Sequence, residues 1–193
     1  MIIIRNIICL AGIVCVSPIL IIALVCIVIE DGYPIFFKQE RIGKNKKIFN
    51  IYKLRTMKTN APQLGTHQVG LSYMLKIGKV IRACKLDEFP QLFNVLKGDI
   101  NLVGPRPGLV VQQELTQERS KKDIFDIKPG ITGLAQILGY DMSDPKKLAE
   151  IDKIYMNNRS YKVNALVFLG TFFPVLKNNV SKSLKIKIKQ KNR

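Results

Sequence analysis

The 193-residue chain has no tryptophan, one histidine, four cysteines, and 14 acidic side chains against 31 basic ones. Each scarcity closes off a class of protein. Cys9, Cys15, Cys26 and Cys84 form no C-x-x-C pair, so neither a zinc site nor a disulfide framework is implied, and a reducing compartment fits. His67 sits in a polar loop without neighbours suited to a metal and reads as an ordinary surface histidine. No GxxxxGK followed by Ser or Thr, no GxGxxG and no HExxH occurs, which leaves a Walker site, a Rossmann fingerprint and a zincin unsupported. No helix-turn-helix, RNP-like aromatic pattern or zinc knuckle accompanies the net charge of +17, so nucleic acid is not an expected partner.

What is present is apolar. With 47% hydrophobic residues the chain is too rich in core formers for a disordered basic tail, and its length suits one compact domain plus an extra segment. Ile7 to Ile29 is 23 residues without a charge, long enough as a helix to cross a hydrocarbon core of about 30 Å. A cleaved signal peptide fits poorly, because the run exceeds the usual h-region and is followed by Glu30 and Asp31. Ser17 and Pro18 stand at its middle, where proline removes a backbone donor and bends or stops a helix. Two readings stay open on these grounds: a kinked spanning helix, or a re-entrant hairpin that enters and leaves by one face. Arg5 precedes the run, and Lys38, Arg41, Lys44, Lys46, Lys47, Lys53, Arg55 and Lys58 follow it, which places the body of the protein in the cytoplasm.

The remainder is predicted to be a small mixed domain. Residues 34–40 and 47–55, aromatic and β-branched around a Gly43-Lys-Asn-Lys turn, read as a β-hairpin. Residues 59–70 read as a loop. Apolar residues at 86, 89, 92, 93 and 96 predict a helix over 86–97 with Asp87 and Glu88 in its first turn. Further helices are expected over 109–121 and 146–157, separated by stiff loops, Leu102-Val-Gly-Pro-Arg-Pro-Gly108 and Lys128-Pro-Gly-Ile-Thr-Gly133. Residues 165–176 suit an interfacial segment, and residues 177–193, with seven cations and no acid, form a basic tail that anionic headgroups would attract. The resulting expectation is a mixed α/β (α+β) chain: a membrane anchor over 1–31, a mostly helical catalytic domain with one hairpin over 32–176, and the tail.

Candidate chemistry centres on Asp87-Glu88. Adjacent carboxylates in a first turn often do no more than complement a helix dipole. Here they are flanked by Arg82, Lys85 and the Arg106 loop, cations suited to phosphate oxygens, on a chain with a membrane segment. An aspartate can attack phosphorus if a metal or arginine charge quenches the repulsion between the anions.

At these residues the chain resembles the bacterial sugar transferases, the monotopic phosphoglycosyl transferases that start glycan assembly on undecaprenyl phosphate. The resemblance is carried by the Ser17-Pro18 pair, by residues 34–43, 51–57 and 78–82, by Leu86-Asp-Glu-Phe-Pro-Gln-Leu-Phe-Asn-Val-Leu-Lys-Gly-Asp99, by Leu102-Val-Gly-Pro-Arg-Pro107, and by residues 128–136. It implies an N-terminal re-entrant helix-break-helix at Ser17-Pro18, a catalytic domain on the cytoplasmic face of the inner membrane, a UDP-sugar donor and an undecaprenyl phosphate acceptor. It implies Asp87 as the nucleophile that takes the sugar phosphate, with release of UMP. Glu88 would be its partner in holding Mg²⁺ or deprotonating the acceptor, and Arg106 a cation beside the diphosphate. Lys53, Arg55 and Arg82 occupy matching basic positions, whose phosphate role rests on charge. Homo-oligomers or downstream glycosyltransferases would be further partners. Where many relatives read TGWAQVNGR, this chain has Leu134, Leu138 and Tyr140 in place of Trp, Asn and Arg, which bears on sugar recognition and not on phosphoryl chemistry. The sugar stays open. The non-enzymatic alternative is a membrane-tethered basic module that binds anionic lipid or nucleic acid.

Overall fold

The computed structural model describes residues 2–62, 71–173 and 175–184. His67, Pro174 and the tail cations beyond residue 184 lie outside the described residues, as does most of the expected 59–70 loop. The chain forms two compact units, Met1–Gln39 with Ile51–Leu96, and Glu40–Asn50 with Lys97–Arg193. Most of the chain is helical, and the predicted hairpin is present as β1 (Phe36–Ile42) and β2 (Ile48–Leu54), joined by a 3-10 turn.

The first unit is organised by α1 (Ile2–Asp31), which is long and apolar enough to cross a membrane. The expected break at Ser17-Pro18 is not seen, since one helix runs through Pro18. The local reason is a substitution of donors. Pro18 cannot donate to the carbonyl four residues back, that of Val14, and the Ser17 hydroxyl donates to the same oxygen at 2.8 Å. Further along, Leu20, Ala23, Leu24 and Ile27, at helical spacing, pack with Leu54, Leu75 and Ile81 into a small core. Ile27 is fully buried, a change worth roughly 1.5–3 kcal/mol for a side chain of this size.

The helix ends at Gly32, whose φ of +64° suits a left-handed cap and whose N–H returns to the Val28 carbonyl at 3.0 Å. From there the chain enters the hairpin and, after Leu75, α2 (Lys76–Ala83). Gly78 lets α2 approach the backbone of Thr56 so closely that a Cβ at this position would collide with the Thr56 carbonyl. The predicted 86–97 helix is shorter than its periodicity suggests. Lys85 adopts a left-handed conformation (φ 56°), residues 86–88 form a 3-10 turn, and α3 (Gln91–Lys97) starts only after Pro90. Proline lacks the N–H that would continue the hydrogen-bond ladder back through the turn.

In the second unit β3 (Asn101–Val103) and β4 (Gly130–Thr132) pair in parallel, with Asn101 opposite Gly130 and Val103 opposite Thr132. Around them stand α4 (Gln113–Ser120), α5 (Leu134–Ile137), α6 (Pro145–Asn158), α7 (Tyr161–Phe172) and α8 (Val175–Ser183). Val103, Leu115, Leu134, Leu138, Ile151, Tyr155 and Val167 form the core. The start of α6 is set by Asp144, which accepts from the Lys147 N–H, with Pro145 in the first turn. The segment read as interfacial is divided. Val167 and Gly170 of α7 are buried, while Leu169, Phe172 and Phe173 are exposed.

Candidate active site

The first unit places Asp87 and Glu88 side by side on the 3-10 turn between α2 and α3, and β2 brings Lys53 to both. Lys53 Nζ lies 2.9 Å from Glu88 Oε1 and 3.6 Å from Asp87 Oδ2. Asp87 is 9% exposed. Burial pushes its carboxyl above the ordinary 3.8; the Lys53 charge opposes this, the Glu88 charge adds to it, and Arg82 opposes it. Arg82, on α2, feels the converse: burial lowers its pKa and Asp87 raises it. Its guanidinium is oriented by Nε, which donates to Thr56 Oγ1 at 2.8 Å. Three of the expected residues thus gather around Asp87.

Arg55 does something different. It is buried, and its Nη2 donates to the carbonyls of Asp31 (3.0 Å) and Gly32 (2.7 Å), while Nη1 lies 3.3 Å from the Asp31 carboxylate. The side chain caps the C-terminal end of α1, where carbonyls have no partner within the helix. Asn94, fully buried on α3, accepts from the Tyr52 N–H at 3.2 Å and so ties α3 to β2 one residue before Lys53. Sequence reading passed over Asn94, although a polar residue among the apolar positions of α3 was a usable signal.

Arg106 belongs to the second unit, in the loop that follows β3. Four consecutive carbonyls of that loop accept from four donors. Pro105 accepts from Gly130 N (3.0 Å), Arg106 from Arg119 Nη1 (2.8 Å), Pro107 from Arg41 Nη1 (3.1 Å), and Gly108 from Ile42 N (3.1 Å). Two prolines deprive the loop of donors of its own, so its conformation is held from outside. Arg119 is in turn paired with Asp152 in the interior, and burial pushes the Asp152 carboxyl upward against the pull of the Arg119 charge. Neither residue was singled out from the sequence. For Asp152 a signal was there, since it lies among Leu148, Ile151 and Tyr155 on α6, a charge within an apolar stripe. On α4, where Leu115 is the single apolar residue, no pattern marked Arg119.

Asp87 and Glu88 suit a hard cation that takes one or two carboxylates together with phosphate oxygens, and the position of Lys53 between them shows that the pair attracts positive charge. Among the described residues no group of three or more His, Cys, Asp or Glu side chains is placed to hold a metal ion.

The profile of the bacterial sugar transferases matches residues 3–178. The chain belongs to this family. The sugar transferase is 38% identical over 162 residues to the "Uncharacterized sugar transferase EpsL" of Bacillus subtilis, a match covering 84% of this chain and 80% of that protein. It is 37% identical over 176 residues to the "UDP-N-acetylgalactosamine-undecaprenyl-phosphate N-acetylgalactosaminephosphotransferase" of Aeromonas hydrophila, with 83% of this chain and 40% of that protein covered. To the "Galactosyl transferase CpsE" of Streptococcus agalactiae it is 38% identical over 161 residues, covering 76% of this chain and 36% of the relative. The sugar transferase therefore spans most of one of these relatives and well under half of the other two. Membership makes it a transferase, with α1 as its membrane-associating element.

Proposed function

We propose that this sugar transferase moves a sugar 1-phosphate from a UDP-sugar to undecaprenyl phosphate and releases UMP, by a ping-pong route through Asp87. The observation that carries the reading is the buried Asp87 carboxylate beside Glu88, with Lys53 Nζ in contact with both. The substrate classes are supported by the name of the Aeromonas relative. In the first step an Asp87 oxygen bonds to the phosphorus that carries the sugar, the bridging P–O bond of the diphosphate breaks, and UMP leaves with the electron pair. In the second, a phosphate oxygen of the acceptor bonds to that phosphorus and Asp87 is released as a carboxylate. Lys53 and Arg82 reduce the repulsion of anion approaching anion, and Arg106 is assigned to the donor's diphosphate as well. Arg55 serves indirectly, through the element it caps. Glu88 is the proposed base for the acceptor phosphate. Mg²⁺ bound by Asp87 and Glu88 would supply further charge neutralisation at the diphosphate.

The acceptor's long tail stays in lipid, so its phosphate is met at the bilayer surface, on the cytoplasmic side of the inner membrane. A monotopic, re-entrant placement of α1, flexing at Ser17-Pro18 and keeping Arg5 on that side, suits this task. It is supported by the packing of α1. Leu92 Cδ1 lies 3.6 Å from where a Cβ on Gly12 would sit, and the contacts from Leu20 to Ile27 continue along the same unit. In a background without the native cysteines, a cysteine at residue 3 is expected to be shielded from an impermeant reagent in intact cells; labelling from outside would mean that α1 spans.

The chemical test is intact-protein mass spectrometry with the donor alone. Wild type should gain the mass of one phosphosugar on the peptide containing Asp87, and Asp87→Asn should gain none. Absence of the adduct in active wild type would refute the covalent route.

A further inference from the structure

Two carboxylates, Glu30 and Asp31, end the uncharged run of α1. Cations are the usual residues at a cytoplasmic boundary, and anions there face like-charged lipid. The structure shows what these two are engaged in. Glu30 Oε1 and Oε2 accept from the Lys76 and Ile77 N–H groups at 2.6 and 2.9 Å. They cap α2, whose own N-cap residue, Leu75, has no side chain able to do so. Asp31 Oδ2 accepts from the Thr59 N–H at 3.1 Å and faces Arg55, which also holds the Asp31 and Gly32 carbonyls.

The end of the membrane helix is thus joined to two elements, the end of β2 through Arg55 and the start of α2 through Glu30. Those are the elements that deliver the cations around Asp87. Lys53 lies two residues before Arg55, and Arg82 lies on α2, itself held against Thr56. We infer that the Glu30–Asp31 joint fixes the height of the Asp87 site relative to the bilayer, and that Glu30 is a positioning residue for the acceptor half of the reaction. The inference rests on the function proposed above. If α2 and β2 shift against α1, a water-soluble donor still reaches Asp87, but a phosphate tethered in lipid no longer meets it at the same depth.

The experiment separates the two half-reactions in full-length protein reconstituted in bilayer nanodiscs. Adduct formation with UDP-sugar alone is timed first. The adduct is then chased with undecaprenyl phosphate in the bilayer, or with a short, water-soluble polyprenyl phosphate. Glu30→Ala is expected to form the adduct within about twofold of wild type and to discharge it normally to the short acceptor. Discharge to undecaprenyl phosphate should be slowed tenfold or more. Glu30→Gln keeps one acceptor oxygen for α2 and should fall between the two, which also covers the case in which Glu30→Ala does not fold. An equal loss in both half-reactions, an equal loss with both acceptors, or unchanged discharge to undecaprenyl phosphate would overturn the inference. Failure of wild type to form any adduct would instead refute the covalent reading on which it rests.

Discussion

Arg119 and Asp152 meet in the interior of the second unit, where Nε and Nη2 of the arginine both donate to Oδ2 of the aspartate, at 3.0 and 2.7 Å. Both side chains are 3% exposed, and the remaining guanidinium nitrogen holds the Arg106 carbonyl. Removing one partner strands a buried charge, whereas removing both does not. Arg119→Met should therefore cost about 3–5 kcal/mol of stability, and the double variant Arg119→Met/Asp152→Leu should recover most of it. Thermal melts followed by circular dichroism give both numbers. Equal losses in the single and double variants would mean that the pair contributes only through the contact with the Arg106 loop.

Asp87 is held in a form that the fold disfavours. Its carboxyl is pushed up by burial, so between the ordinary value of 3.8 and its raised value the folded chain binds more protons than the unfolded chain. Stability falls as pH rises through that window, and above it the penalty is complete. Asp87→Asn should consequently abolish turnover at neutral pH while leaving Tm equal to or above that of wild type. The gap in Tm should close as pH drops below the window, where both side chains are neutral. A large fall in Tm for Asp87→Asn at neutral pH would show that the charge stabilises the fold.

The same environment predicts the acid limb of activity. In the proposed route Asp87 attacks as the carboxylate, so kcat/KM for UMP release should fall on acidification with a midpoint above the ordinary carboxylate value. Lys53 pulls this carboxyl down and Glu88 pushes it up. Lys53→Met should move the limb to higher pH and Glu88→Gln to lower pH, on top of any loss in rate. Limbs that stay in place in both variants would assign the titration to another group.

Gly78 provides a packing test. A methyl group there meets the backbone of Thr56, which has no rotamer to yield. Gly78→Ala should destabilise by about 1–3 kcal/mol, the usual range for overpacking. It should also weaken turnover, because Thr56 Oγ1 orients Arg82. An unchanged melting temperature would contradict the close approach of α2 to the Thr56 backbone.

Much of this protein was legible from one dimension. The apolar run announced α1, aromatic and β-branched residues around Gly43 announced the hairpin, and the helix expected over 146–157 is α6. Ordered motifs announced the family. These are local properties, set by burial pattern, turn chemistry and capping within a few residues.

What only the tertiary structure decided is where polar groups far apart in sequence find partners. Arg55 resembled Lys53 as a cation two positions along a strand, yet one meets the carboxylate pair and the other closes the end of α1. The helix through Pro18 persists because the Ser17 hydroxyl replaces a missing N–H, and the 86–97 helix is cut short by a left-handed Lys85 and by Pro90. Charge and periodicity show that a side chain needs a partner or a buried face. Which partner it takes depends on the chain's return from 20 to 70 residues away, and that is decided by packing.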